Sequence, residues 1–88
     1  RSPSNAVVAP ATATERLVAE LYGHLLRLPV VGASDNFFDL GGDSIASLEA
    51  AVAIEKATRI RLSPRELLLG TVTDVAMAID ARRSAVIS

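Results

Sequence analysis

Residues 35–45 read Asp-Asn-Phe-Phe-Asp-Leu-Gly-Gly-Asp-Ser-Ile, and they hold the chain's clearest chemical signal. A single hydroxyl, that of Ser44, follows Gly41-Gly42 and stands where a helical pattern begins. Consecutive glycines let backbone approach a partner or ligand closely. A helix start offers unpaired N–H groups and positive potential, a setting that suits a phosphate ester. A large group could hang from such a serine without displacing core. Asp43 or Ser44 suits the N-cap of this helix, and an acidic residue there also suits the helix dipole. Hydrolytic use of the serine would need a matched histidine and acid. The one histidine, His24, lies far away in sequence, inside an earlier helical pattern, and reads as a surface or boundary side chain. The sequence therefore offers Ser44 no catalytic partners of its own, and no catalytic residue is expected in this chain.

Composition narrows the remaining classes. The chain has 88 residues, which suits one small domain, and half of them are hydrophobic. Two Phe, one Tyr and no Trp leave the core mainly aliphatic. Helix formers dominate, favouring an all-α fold. A net charge of −1 gives no general attraction to nucleic acid or anionic membrane. No apolar run approaches the roughly 20 residues of a membrane span, and no secretory leader pattern is visible, so a cytoplasmic location is expected. With no Cys and one His, a disulfide framework, a thiolate zinc site and a multi-histidine metal site are excluded. Thiol chemistry would have to come from something attached.

The elements that must position Ser44 follow from periodicity. Residues 1–11, with two Pro and no helical period, read as a linker or tail. Thr12-x-x-Glu15 fits a capping box. Behind it Leu17, Val18, Leu21, Tyr22, Leu25 and Leu28 recur on one face, predicting a helix from about Ala13 to Arg27, stopped by Pro29. Residues 28–43 form a long connection whose Val30, Val31, Phe37, Phe38 and Leu40 are expected to anchor it on the core. A helix from about Ser44 to Ala57 follows, with Ile45, Leu48, Ala51 and Val52 on one face and Glu49 and Lys56 away from it. Ser63-Pro64-x-Glu66 opens a short helix through Leu67–Leu69, closed by Gly70. Leu68 and Leu69 cannot both face inward from so short a helix, so one is a candidate exposed contact. Thr71 or Thr73 caps a last helix with Val72, Val75, Ala76 and Ile79 inward. A frayed tail is expected from Ser84. The result is a four-helix bundle with a long first loop and a short third helix.

The stretch around Ser44 resembles the attachment motif of thiolation domains, the peptidyl carrier proteins of nonribosomal peptide synthetases. Their pattern, Asp-x-Phe-Phe-x-Leu-Gly-Gly-(His or Asp)-Ser-(Leu or Ile), is matched at every element by Asp35 to Ile45. The resemblance runs over roughly residues 14–82, within a carrier domain placed at 12–83 between the linker and a tail at 84–88. It implies an acyl-carrier-type fold and 4′-phosphopantetheine on Ser44, with Gly42 and Asp43 beside it. A phosphopantetheinyl transferase, using magnesium and coenzyme A, would install the arm. The arm's thiol would then hold aminoacyl or peptidyl cargo for adenylation and condensation domains, and for an epimerization or thioesterase domain. The carrier itself would be non-catalytic and monomeric when isolated. Ile45 and Ala46, just after the serine, are implied partner contacts, beside the candidates Leu68 and Leu69. Asp43, where many relatives have His, resembles carriers that precede an epimerization domain. The alternative is an acyl or aryl carrier of polyketide or siderophore assembly, against which the double glycine and the Phe-Phe pair weigh. One departure is Thr58-Arg59, where the family usually has an aromatic and then Gly. A left-handed helix cap at Arg59 would be strained, so a different or frayed helix end is expected there.

Overall fold

The computed structural model describes residues 11–87, apart from the side chains of 85–87, so the linker read at 1–11 lies outside the described residues except for Ala11. Four helices follow one another: α1 Ala13–Leu26, α2 Ser44–Thr58, α3 Pro64–Leu69 and α4 Val72–Ile87. Each start is closed by its own side chains. The Thr12 hydroxyl accepts from the Glu15 N–H at 3.0 Å, and the Glu15 carboxylate accepts from the Ala11 and Thr12 N–H groups. Ser63 and Glu66 repeat this reciprocal arrangement at α3, where Pro64 holds the first helical position. Of the two threonines before α4, Thr71 is the cap: its hydroxyl accepts from Asp74, whose carboxylate accepts from the Thr71 N–H. These pairs satisfy donors that a helix start otherwise leaves open.

One core joins the four helices. Val18 and Tyr22 from α1, Ile54 from α2, Leu67 from α3 and Val72, Val75 and Ile79 from α4 are all buried. Ile60 and Leu62, in the extended link before α3, close one side of it. α1 packs on α2 and α4, and α2 packs on α3. The Thr14 hydroxyl, donating to Asp80 at 2.7 Å, ties α1 to α4. The helix order and the inward face of α4 agree with the periodicity.

Several expectations are corrected. α1 ends at Leu26, one residue early, because Arg27 turns left-handed (φ 58°) and donates its N–H to Gly23 O; the chain has already turned before Pro29. α2 runs on to Thr58, and the left-handed cap does form at Arg59 (φ 65°) without glycine, its N–H bonding Glu55 O at 2.7 Å. The Thr58 hydroxyl supports this end, donating to Ile54 O and accepting from the Ile60 N–H. The buried face of α2 is Ser47, Ala50, Ala51 and Ile54. Of the apolar face read from sequence only Ala51 is buried, while Ile45, Leu48 and Val52 are 69%, 55% and 51% exposed. The small residues on the inward side let α2 approach its neighbours closely. In the long loop Val31 and Phe37 are buried, but Val30 and Phe38 face outward. α4 continues through Ile87, past the point at Ser84 where the sequence suggests a tail.

Stability measurements can check two of these features. A left-handed conformation costs a side-chain-bearing residue about 1–2 kcal/mol, of which glycine's extra unfolded-state entropy returns a part. Arg59→Gly should therefore raise stability by about 0.5–1 kcal/mol in urea titration. Separately, the Glu66 carboxyl is held below its usual range, first by the Ser63 N–H and then by Arg82, whose guanidinium lies 2.6 Å from it, against an opposing effect of burial. Its folded-state value is the lower one, so the unfolded chain binds the proton more tightly and this contribution is present above the ordinary value of 4.5. It is lost as pH falls below that value and through the folded one. Melting temperatures followed from neutral pH downward should drop across that window, and less steeply in Glu66→Gln.

Candidate functional site

Ser44 is the first residue of α2 and is exposed. The residue before it performs the capping: the Asp43 side chain accepts from the Ala46 N–H at 2.8 Å, and its carbonyl accepts from Ser47. Asp43 rather than Ser44 is therefore the cap, which leaves the Ser44 hydroxyl out of that role. The N–H groups of Ser44 and Ile45, at the head of the helix, have no intrahelical acceptor by geometry. On the next turn Ser47 is buried and its hydroxyl donates to Ser44 O at 2.7 Å, fixing the first turn from below.

The two glycines have different causes. Gly41 has φ +101°, a region that side-chain-bearing residues rarely adopt, and open space where a Cβ would stand. Gly42 is buried, and a Cβ there would lie 2.2 Å from Cε2 and 2.4 Å from Cδ2 of the Phe37 ring. Phe37 is 0% exposed and meets the Tyr22 ring edge-on, with centroids 4.7 Å apart. Its carbonyl accepts the Gly42 N–H at 3.0 Å. The second aromatic, Phe38, is 66% exposed. Residues alike in sequence are thus divided between core and surface.

Asn36 ties this loop to the turn between α3 and α4, a role that sequence reasoning missed. Its amide nitrogen donates to Leu68 O at 3.0 Å and Gly70 O at 2.9 Å, and its oxygen accepts from the N–H groups of Phe38 and Asp39. Backbone bonds from Val72 to Asp35 O and from Thr73 to Ala33 O, both 2.9 Å, continue the seam. Asn in a loop is a common turn residue, so only its distance in sequence from α3 hid the second half of its bonding. Among the candidate contacts, Ile45 and Leu69 are exposed, whereas Ala46 and Leu68 are partly buried and packed against the core. His24 lies on exposed α1 surface, beside an open groove lined by Arg16, Glu20 and Val30. Tyr22 keeps its hydroxyl buried with no hydrogen-bond partner among the described residues, and desolvation raises its pKa.

Fold and site together define a small helical domain that presents one exposed serine at the first position of its second helix. The chain belongs to the phosphopantetheine attachment site family, which matches residues 16–79. A linear gramicidin synthase polypeptide from Brevibacillus parabrevis is 44% identical over 70 residues, covering 78% of this chain and 1% of that synthase. The structure of the phosphopantetheine transferase Sfp with coenzyme A and a peptidyl carrier protein includes a chain with a TM-score of 0.81 and 28% identity, covering 85% of this chain and 99% of that one. McyG A-PCP complexed with phenylalanyl-adenylate matches with a TM-score of 0.76 and 31% identity over 88% of this chain and 12% of that one.

Removing Asn36 should loosen both ends of the seam. Asn36→Ala is expected to lose about 2–3 kcal/mol in denaturant unfolding. Asn36→Asp should be at least as damaging, since a carboxylate oxygen would then face the carbonyls of Leu68 and Gly70.

Proposed function

We propose that Ser44 carries this chain's 4′-phosphopantetheine arm. The chain functions as a peptidyl carrier in nonribosomal peptide synthesis. The observation that supports Ser44 is its placement: an exposed hydroxyl at the first position of α2, relieved of capping by Asp43 and following a turn of two glycines. The geometry fits the group. The open N–H groups at the head of α2 suit a phosphate diester, and nothing in the core stands beyond the serine. In attachment, the Ser44 oxygen bonds to the phosphorus of the pantetheine phosphate in coenzyme A. The bond from that phosphorus to the nucleotide phosphate breaks, adenosine 3′,5′-bisphosphate leaves, and the hydroxyl proton passes to a base of the transferase. When bound, the arm supplies a terminal thiol that holds an aminoacyl or peptidyl group as a thioester.

The carrier is non-catalytic in this reading; Ser44 anchors the cargo, and tethering raises its effective concentration at each partner. Those partners are a phosphopantetheinyl transferase and an adenylation domain, which the structural neighbours display for their own carriers, and then a condensation domain. The exposed apolar side chains of Ile45, Leu48 and Val52 along α2, with Leu69 on α3, form the surface these partners meet. Asp43 supports placement ahead of an epimerization domain. The functional unit begins at residue 12 and takes in all four helices. Among the described residues no helix is long and apolar enough to cross a membrane, and the cytoplasm, where coenzyme A is at hand, is the proposed location.

Incubation with coenzyme A and a promiscuous phosphopantetheinyl transferase tests the assignment by intact mass. The wild type should gain one arm; Ser44→Ala should gain none while melting within about 1 kcal/mol of wild type, as expected of an exposed residue that is not the cap. An unmodified wild type would end the carrier reading, and a modified Ser44→Ala would move the site elsewhere.

A further inference from the structure

We infer that Phe37 is a positioning residue for Ser44: its ring, backed by Tyr22, fills the place of the absent Gly42 side chain and thereby sets where α2 begins and where the hydroxyl stands. The inference rests on Ser44 being the attachment residue. Three observations converge on it. The Phe37 ring carbons Cε2, Cδ2 and Cζ lie 2.2, 2.4 and 2.8 Å from where a Cβ on Gly42 would be, a contact no larger residue could share. The same residue holds Gly42 a second time, through its carbonyl and the Gly42 N–H at 3.0 Å. The ring itself has no freedom to retreat, being fully buried and packed edge-on against Tyr22, which is fully buried in α1.

Gly42 is two residues before Ser44, with Asp43 capping between them. A shift at Gly42 moves the cap and the first turn with it, because Asp43 bonds the N–H groups of both Ala46 and Ser47. Neither neighbour shares this function. Gly41 has open space at its Cβ position and Phe38 is exposed, so the other glycine and the other aromatic do not transmit core packing to the serine. The Phe-Phe and Gly-Gly pairs therefore contain one coupled pair, Phe37 with Gly42.

Double-variant kinetics can separate positioning from simple structural support. Transfer of the arm would be followed by mass with a promiscuous transferase and coenzyme A, at a temperature where circular dichroism finds each variant folded. Wild type, Phe37→Leu, Gly42→Ala, the double variant and Ile79→Val would be compared. Ile79 is fully buried in α4 next to Asp80, which bonds Thr14 at the start of α1, about two turns from Tyr22. Its truncation weakens the same core while leaving Phe37 and Gly42 unchanged. Phe37→Leu and Gly42→Ala should each lower kcat by about tenfold or more, with KM for the carrier changed less, because a small misplacement of a reacting atom is costly. The double variant should recover to within about threefold of wild type, since leucine lacks the ring carbons Cε2 and Cζ that crowd the new methyl. Ile79→Val should load as wild type does. The Ser44 amide resonance gives a second readout that needs no transferase: it should move in Phe37→Leu and stay in Ile79→Val. If Gly42→Ala does not fold, Phe37→Leu decides through its kcat and that resonance. Wild-type kcat in folded Phe37→Leu, an equal loss in Ile79→Val, or a folded double variant no faster than Gly42→Ala would overturn the inference. A wild type that takes up no arm would instead bring down the Ser44 assignment on which it rests.

Discussion

The contact between the Phe37 ring and the bare Cα of Gly42 constrains everything around the serine. A connection as long as the one between α1 and α2 is expensive to hold in one shape, at roughly 1–2 kcal/mol of backbone entropy per residue. Burying one phenylalanine contributes about 1.5–3 kcal/mol, too little to order the loop alone. The ring acts together with the seam through Asn36, Val72 and Thr73. The seam holds the middle of the loop to the turn between α3 and α4, and the ring holds its end to α1. Ser44 inherits its position from both.

α2 shows how packing and recognition are divided on one helix. Its inward side carries Ser47, Ala50 and Ala51 with the single large residue Ile54, so the helix lies close to its neighbours. Its larger apolar side chains, Ile45, Leu48 and Val52, face outward on the same side as one another. An isolated domain gains little from such a face. Under the proposed function, the face is a surface that each successive partner could desolvate.

Features that depend on neighbours in sequence were legible before the structure. Thr12 with Glu15, Ser63 with Glu66, Pro64 at the head of α3, and the inward Val72, Val75, Ala76 and Ile79 all follow from local chemistry and period. The proposal of Ser44 likewise rests on local pattern, because its motif spans consecutive residues. What escaped depends on contacts distant in sequence or on residue size. The burial pattern of α2 reversed because its core face is built from small residues, which carry almost no hydrophobic signal beside Ile45, Leu48 and Val52. Phe37 and Phe38 are chemically identical, and only the approach of Gly42 and Tyr22 distinguishes them. Asn36 reads as a turn residue because its bonds to Leu68 and Gly70 cross half the chain. The left-handed Arg27 and Arg59 defied a sound local rule, at a cost the rest of the fold absorbs.

Asp43 carries a consequence for how such a domain can change over generations. Its carboxylate closes the first turn of the helix that bears the serine, so the position cannot serve only as a label read by a neighbouring enzyme. A replacement that suits a new neighbour but cannot accept a hydrogen bond from Ala46 would loosen the helix start. Whatever else reads this position, the repertoire open to it is limited by what a helix needs in order to begin.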